Sequence, residues 1–76
     1  SEEADVVDTS QTENRFFVRA KASGRKCLEE SFAGCSFLPE QGGDELGLFV
    51  PAMRESDFFA KCAALGDVVL NRIRLA

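Results

Sequence analysis

The sequence contains no histidine, no tryptophan and no tyrosine, and its only methionine is Met53. Without histidine, a cysteine nucleophile would lack its usual general base. The three cysteines are too few and too widely spaced to form a structural zinc site. No stretch approaches the roughly 18 consecutive apolar residues of a membrane span, and no signal peptide pattern occurs at the start. We therefore expect a non-catalytic chain with no metal, no cofactor and no membrane span.

The negative charge is concentrated at the start of the chain. Residues 1–14 carry five acids and no base, whereas residues 15–76 carry eight acids and nine bases. A polar, acidic segment of this kind is typical of a solvated linker, although Val6 and Val7 could dock it on a neighbour. We predict a flexible acidic linker over residues 1–14 and a single domain over residues 15–76. Since the chain starts with serine and its methionine lies well inside, we also expect a piece of a longer protein.

The three cysteines, Cys27, Cys35 and Cys62, are expected to be reduced. Cys27 and Cys62 fall on the apolar faces of two helical patterns, so we predict that both are small buried hydrophobic residues. Free thiols are typical of proteins in a reducing compartment, which favours the cytoplasm.

Two residue periods alternate along the chain. Apolar residues at every second position predict strands within residues 15–22, 45–52 and 67–76, with a short extended run over residues 35–41. Pro39 confines that run to an edge or a bulge, and Pro51 is predicted to end the third strand. Helical spacing predicts one short helix around Cys27 to Phe32 and one of about three turns before Gly66. The sequence Gly42-Gly43-Asp44 predicts a hairpin turn.

This order of elements, βαββαβ, predicts an α+β fold of the ferredoxin-like type. Right-handed crossovers then give a four-stranded antiparallel sheet in the order 4-1-3-2, with both helices on one face. The apolar residues expected on the helix-covered face of the sheet are Phe16, Val18, Ala20, Leu46, Leu48, Val50, Ile73 and Leu75. They face helix residues Leu28, Phe32, Phe58 or Phe59, Cys62 and Leu65.

The opposite, open face of this sheet carries the candidate site. Phe17 and Phe49 should lie side by side there on adjacent central strands. Five cations are predicted to surround them, namely Arg15, Arg19, Lys21, Arg72 and Arg74. Such a face could be covered by a partner protein, with the cations at its rim. Alternatively, it could bind single-stranded nucleic acid as an RNA-recognition motif does, with the rings stacking on bases.

Three segments carry a resemblance to a known family. They are Arg15-Phe16-Phe17-Val18-Arg19, Arg54-Glu55-Ser56-Asp57 and Ile73-Arg74-Leu75, and over residues 13–76 the chain resembles the C-terminal ACT domain of homoserine dehydrogenases. The resemblance implies a non-catalytic regulatory and dimerisation domain, with allosteric binding of an amino acid such as threonine. It also implies a longer parent oxidoreductase of amino-acid biosynthesis, whose NAD(P)-dependent catalytic domain lies upstream.

The resemblance is weakest in the loop after the first strand. The ACT family has Asp-x-Pro-Gly there, whereas residues 22–28 of this chain retain one glycine and lack the aspartate and the proline. Ser23, Gly24 and Arg25 are the candidate effector-binding residues. The alternative is a shortened connection that has lost the site.

The ACT resemblance also implies assembly with a second copy. We predict a homodimer, and the exposed edge strand around Ser36 and Phe37 is the candidate contact. Contact with the upstream domain of the parent is expected as well, whereas nucleic acid is not an expected partner.

Overall fold

Residues 12–40 and 42–76 are described by a computed structural model of the chain. The strands are β1 (Glu13–Lys21), β2 (Ser36–Phe37), β3 (Glu45–Arg54) and β4 (Val69–Leu75). The helices are α1 (Arg25–Ser31) and α2 (Glu55–Leu65), and 3₁₀ turns lie at Ala22–Gly24 and Gly66–Val68. All strand pairs are antiparallel and the order across the sheet is β2-β3-β1-β4. The predicted α+β ferredoxin-like arrangement and its strand order are confirmed.

β1 begins at Glu13, two residues before the predicted start of the domain, and the division into linker and domain stays a prediction. Residues 1–11 of the predicted linker, which include Val6 and Val7, lie outside the described residues. Among the residues that the structure describes, no helix has the length and apolar character needed to cross a bilayer.

The central strands β1 and β3 have the predicted faces. Phe16, Val18 and Ala20 are buried, and they lie opposite Val50, Leu48 and Leu46 in the antiparallel register. The alternation predicts this correctly because successive side chains of a strand point to opposite sides of the sheet.

Both helices cover the same face of the sheet. The Phe58 ring of α2 stacks on Phe16 of β1, with ring centroids 3.9 Å apart, and Phe32 at the end of α1 lies 5.8 Å from Phe58. These residues belong to one core, whose members are Phe16, Val18, Ala20, Leu28, Phe32, Leu46, Leu48, Val50, Phe58 and Cys62. Burial of this set supplies the main driving force for folding.

The prediction for the faces of β4 is wrong. Ile73 lies opposite Phe17 and Leu75 opposite Arg15, so both residues are on the open face, and Ile73 is 47% exposed. The cause is a bulge, because the register shifts between Arg19 and Ala20. An extra residue in one strand reverses the side to which the following residues point.

The edge strand β2 and the end of β3 also differ from the prediction. Only Ser36–Phe37 forms a strand, followed by one further bond from the Leu38 N–H to the Gly47 carbonyl oxygen (2.9 Å). Pro51 does not end β3, which continues to Arg54. The register shift between Asn14 and Phe16 falls opposite Pro51, and a bulge tolerates a residue that has no N–H to donate.

One of the two cysteine predictions is wrong. Cys62 is buried as expected, but Cys27 is exposed, because α1 turns Leu28 rather than Cys27 towards the core. Burial raises the pKa of the Cys62 thiol, an effect that the charge of Arg72 partly opposes. Burial likewise raises the pKa of the half-buried Cys35 thiol, and the neighbouring Glu29 carboxylate adds to the rise.

Two leucines test the assignment of the core by the same substitution. Leu48→Ala removes a fully buried side chain and should lower the free energy of unfolding by about 2–5 kcal/mol. Leu38→Ala, at a position that is 40% exposed, should cost less than about 1 kcal/mol. Urea denaturation followed by circular dichroism measures both values. If Leu48→Ala leaves too little folded protein, Leu48→Val should show a smaller loss of the same sign.

The thiols should differ in their rates of alkylation. Iodoacetamide attacks the thiolate, so the exposed Cys27 should react at least roughly tenfold faster than Cys62, which is buried and has a raised pKa. Peptide mass mapping after a short exposure of the native chain gives the two rates. The denatured chain is the control, in which the rates should converge. Equal rates in the native chain would contradict the burial of Cys62.

Candidate functional site

The open face of the sheet carries a patch of four apolar side chains, Phe17, Leu38, Phe49 and Ile73, which we call the open-face patch. Phe17 lies directly opposite Phe49 on one side and Ile73 on the other. The Phe17 and Phe49 ring centroids are 5.0 Å apart and the rings are tilted by 59°. Phe49 is 38% exposed, close to the value for Leu38. The patch therefore crosses the sheet from one edge to the other.

The centre of the open-face patch can form only because residue 47 is a glycine. A Cβ atom at this position would lie 2.7 Å from Cζ of Phe17 and 3.1 Å from Cδ1 of Leu38. The Phe17 ring can therefore lie over the β3 backbone only because residue 47 has no side chain. Phe17 is half-buried by these contacts, whereas Phe49 keeps more of its surface in solvent.

The sequence predicts Phe17 and Phe49 on this face correctly, and it misses Ile73. The signal for Ile73 is lost because the bulge in β4 cannot be read from the apolar pattern. Leu38 joins the patch because its N–H pairs with Gly47, which extends the sheet one residue beyond β2.

The predicted ring of five cations is wrong in two members. Arg72 lies opposite Val18 and Arg74 opposite Phe16, so both side chains belong to the helix-covered side of the sheet. The Arg72 guanidinium lies 5.0 Å from the centroid of the Phe59 ring of α2. The β4 bulge that moves Ile73 to the open face moves these arginines away from it.

The cations that remain on the open face are largely neutralised. Arg19 Nη2 lies 2.7 Å from Glu45 Oε1, and Lys21 Nζ lies 3.4 Å from Asp67 Oδ2. These exposed pairs contribute little to stability, but they lower the positive potential beside the patch. Arg15 is the open-face cation for which the described residues supply no ion pair. Phosphate binding depends on such cations, so the arrangement gives a nucleic-acid platform less support than the sequence does.

The candidate effector loop has structural contacts for two of its three residues. Gly24 is buried, and a Cβ atom there would overlap Cγ1 of Val68. The Arg25 guanidinium lies 4.1 Å from the centroid of the Phe37 ring and within 3.9 Å of a carboxylate oxygen of Glu40. A second pair joins Arg25 to the next turn of α1 at Glu29. These contacts account for Gly24 and Arg25 without a ligand.

Ser23 lines a separate depression of about 430 Å³, which contains neither Gly24 nor Arg25. Lys21, Asp44 and Glu45 line the same depression, so its charged lining consists of one cation and two carboxylates. This depression therefore does not bring the three candidate residues together. Effector binding at this loop stays a prediction.

The two edge-strand candidates point to different sides of the sheet. Ser36 lies opposite Phe49 and is exposed on the open face, whereas Phe37 lies opposite Leu48 and packs against the core. The Arg25 side chain covers the Phe37 ring. Only Ser36 could contact a partner on the open face, and its role as an interface residue stays a prediction.

Within residues 12–40 and 42–76, no three side chains of the types that bind metal ions lie close enough together to hold one. No family model, curated protein or solved structure matches the chain at a significant level.

The close contact at Gly24 can be tested separately from any ligand. Gly24→Ala should lower the free energy of unfolding by about 1–3 kcal/mol, because the new methyl group meets Val68. The double variant Gly24→Ala/Val68→Ala should lose less than the sum of the two single changes, since the smaller side chain makes room. Thermal or urea denaturation of the four proteins gives the coupling. Additive losses would show that the contact does not explain the glycine.

Proposed function

We propose that this chain is a non-catalytic dimerisation and regulatory domain of the ACT type, whose open sheet face packs against a second copy. The open-face patch carries this proposal. Contiguous exposed apolar side chains on a small domain are typical of a surface that another protein covers. The patch here includes two aromatic rings, the residue class that contributes most to the centres of protein interfaces.

The rim of the open-face patch also suits a second copy. A two-fold interface brings the same surface of both subunits together, so an unpaired charge at its centre would meet its own image. In this chain the centre is Phe17, and the nearby Arg19 and Glu45 neutralise each other. Two copies can therefore approach without strong repulsion while the ion pair stays at the wet rim.

Pairing through the β2 edge, which the sequence favours, would contribute less binding energy. β2 has only two residues, so an intermolecular ladder there would contain few hydrogen bonds. The open face presents more apolar surface, and burial of such surface is the main contribution to most associations. The proposed contact is therefore face to face rather than edge to edge.

The regulatory part of the proposal rests on the fold together with the ACT resemblance. The parent would be an NAD(P)-dependent homoserine dehydrogenase that supplies all catalytic residues upstream of this domain. The free thiols support a cytoplasmic location. Because Gly24 and Arg25 are engaged with Val68 and Phe37, we expect millimolar threonine to raise the melting temperature little or not at all.

Two phenylalanines of similar exposure test the dimer. Phe49 in the patch is 38% exposed and Phe59 on α2 is 43% exposed. We expect a dimer at tens of micromolar in sedimentation equilibrium, and Phe49→Ser should raise its dissociation constant by roughly tenfold or more. Phe59→Ser, the matched control, should leave the constant unchanged. A wild-type chain that stays monomeric at several hundred micromolar would remove the dimerisation role.

The same variants separate this function from nucleic-acid binding. The proposed domain should not bind single-stranded RNA in fluorescence anisotropy at physiological salt. Binding that weakens steeply with salt and is lost in Phe49→Ser would instead establish the stacking platform.

A further inference from the structure

We propose that the free edge of β4 accepts an extended segment of a partner protein, which carries carboxylates at alternate positions and adds to the sheet as a further strand. The proposal does not depend on the dimer, because the partner strand adds at the edge of β4, and the two surfaces share only Ile73. It rests on the direction of the backbone groups of β4, on two arginines for which the described residues supply no ion pair, and on the one side chain between them.

The hydrogen bonds of the sheet show which backbone groups of β4 point outwards. The Ala22 N–H donates to the Asp44 carbonyl oxygen (2.6 Å), so the even-numbered residues of β1 bond to β3 and the odd-numbered residues bond to β4. The β4 partners of those odd-numbered residues are Asn71, Ile73 and Leu75. The N–H and C=O groups of Arg72 and Arg74 must then point away from the sheet.

A side-chain contact agrees with this direction. The Arg72 N–H donates to Oδ1 of Asn71 (2.8 Å), an acceptor outside the β1–β4 ladder. Unpaired edges of sheets are open to pairing with other chains, and proteins commonly protect them. The Asn71 side chain protects one donor of this edge, and the Arg74 N–H has no such protection among the described residues.

The arginine side chains provide the charge that a partner strand would meet. No carboxylate of the described residues lies within ion-pair distance of Arg72 or Arg74. Both line a depression of about 170 Å³ on the helix-covered side, whose other lining residues are Phe16, Glu55, Phe58 and Phe59. The Arg72 guanidinium lies over the ring of Phe59, and this contact holds it in position. A carboxylate entering this depression would meet two cations and one like charge, the Glu55 carboxylate, so the net charge of the lining still favours an acid. Beside the apolar wall of phenylalanines, charge-assisted hydrogen bonds to the arginines are strong.

Ile73, the residue between the two arginines, determines which residue type the partner strand needs between its two acids. Ile73 is 47% exposed on the opposite, open face of the sheet. Directly opposed side chains on adjacent strands contact each other, so a strand paired with β4 needs acids opposite Arg72 and Arg74 and an apolar residue opposite Ile73. The partner segment therefore reads acid-apolar-acid.

A second copy of β4 does not meet this requirement. Antiparallel pairing of two β4 strands about a two-fold axis would bring the arginines of one strand next to those of the other. Like charges on directly opposed residues destabilise a sheet. The occupant that fits this edge is consequently an acidic segment of a different protein.

The probe is a capped, fluorescein-labelled peptide of alternating valine and glutamate, with a valine–lysine peptide as its control. The full chain should bind the glutamate peptide, with an affinity that falls as salt rises, and should not bind the lysine peptide. Arg74→Glu should weaken binding of the glutamate peptide by roughly tenfold, and Arg72→Glu/Arg74→Glu should reverse the preference towards lysine. Lys26→Glu, the same charge change at an exposed site on α1, should have no such effect. Equal binding of both peptides, or no effect of Arg74→Glu, would overturn the proposal.

Asn71→Ala tests the strand pairing apart from the charge. It removes the internal acceptor of the Arg72 N–H, which is then available to the peptide, so affinity should rise by roughly two- to tenfold. Weaker binding would contradict a protective role for Asn71.

Amide hydrogen exchange locates the pairing on β4. The Arg74 amide should exchange rapidly in the free chain and become protected with the glutamate peptide. Protection of this amide in the free chain would show that the chain itself occupies the edge and would overturn the proposal. Phe49→Ser should leave peptide binding unchanged, so that failure of the dimer and failure of this site can be told apart.

Discussion

The stacking of Phe16 on Phe58 determines the orientation of the central strand, and the other surfaces depend on it. The two rings are nearly parallel, with an angle of 6° between their planes, and both are almost fully buried. Because side chains alternate along a strand, turning Phe16 towards α2 turns Phe17 to the open face. Phe17 then meets Phe49 of β3, and the absence of a side chain at Gly47 lets its ring lie against the sheet. The core contact and the candidate binding surface are thus two consequences of one strand orientation.

The parts of the fold that the sequence predicts correctly are those governed by local periodicity. Alternation over β1 and the first half of β3 places Phe16 and Leu48 inside and Phe17 and Phe49 outside, as observed. The errors fall where a non-local register decides. The bulges beside Pro51 and in β4 arise from how two strands match in length, which no single strand encodes. The exposure of Cys27 has a different cause, since adjacent residues of a helix point about 100° apart and Leu28 is the one that faces the core.

The same distinction applies to the candidate site. The aromatic pair follows from alternation, and it is present. The charges around the pair do not follow from alternation. The sequence cannot show that Arg19 and Glu45, which are 26 residues apart, form an ion pair between two strands. When such ion pairs form, the face that the sequence predicts to be basic is apolar with a nearly neutral rim. A face of this kind favours a protein partner over the phosphates of a nucleic acid. The loop at Gly24 shows the reverse case, in which a glycine kept for packing against Val68 resembles the remains of a ligand site.

A single extra residue, Leu70, determines which side chains of β4 lie on the open face of the sheet and which lie on the helix-covered face. Arg19 pairs with Asn71 and Ala20 pairs with Val69, which leaves Leu70 as the extra residue of the bulge. If the register of the Ala20–Val69 pair continued unbroken, Ile73 would lie opposite Phe16 and the neighbouring arginine, Arg72, opposite Phe17. That is the arrangement that simple alternation predicts, with Ile73 in the core and the arginines among the open-face rings. The bulge reverses it: Ile73 joins the apolar patch, while the Arg72 side chain lies on the helix-covered side. The proposed dimer face and the proposed acidic-strand site therefore have one structural origin, and they meet at Ile73.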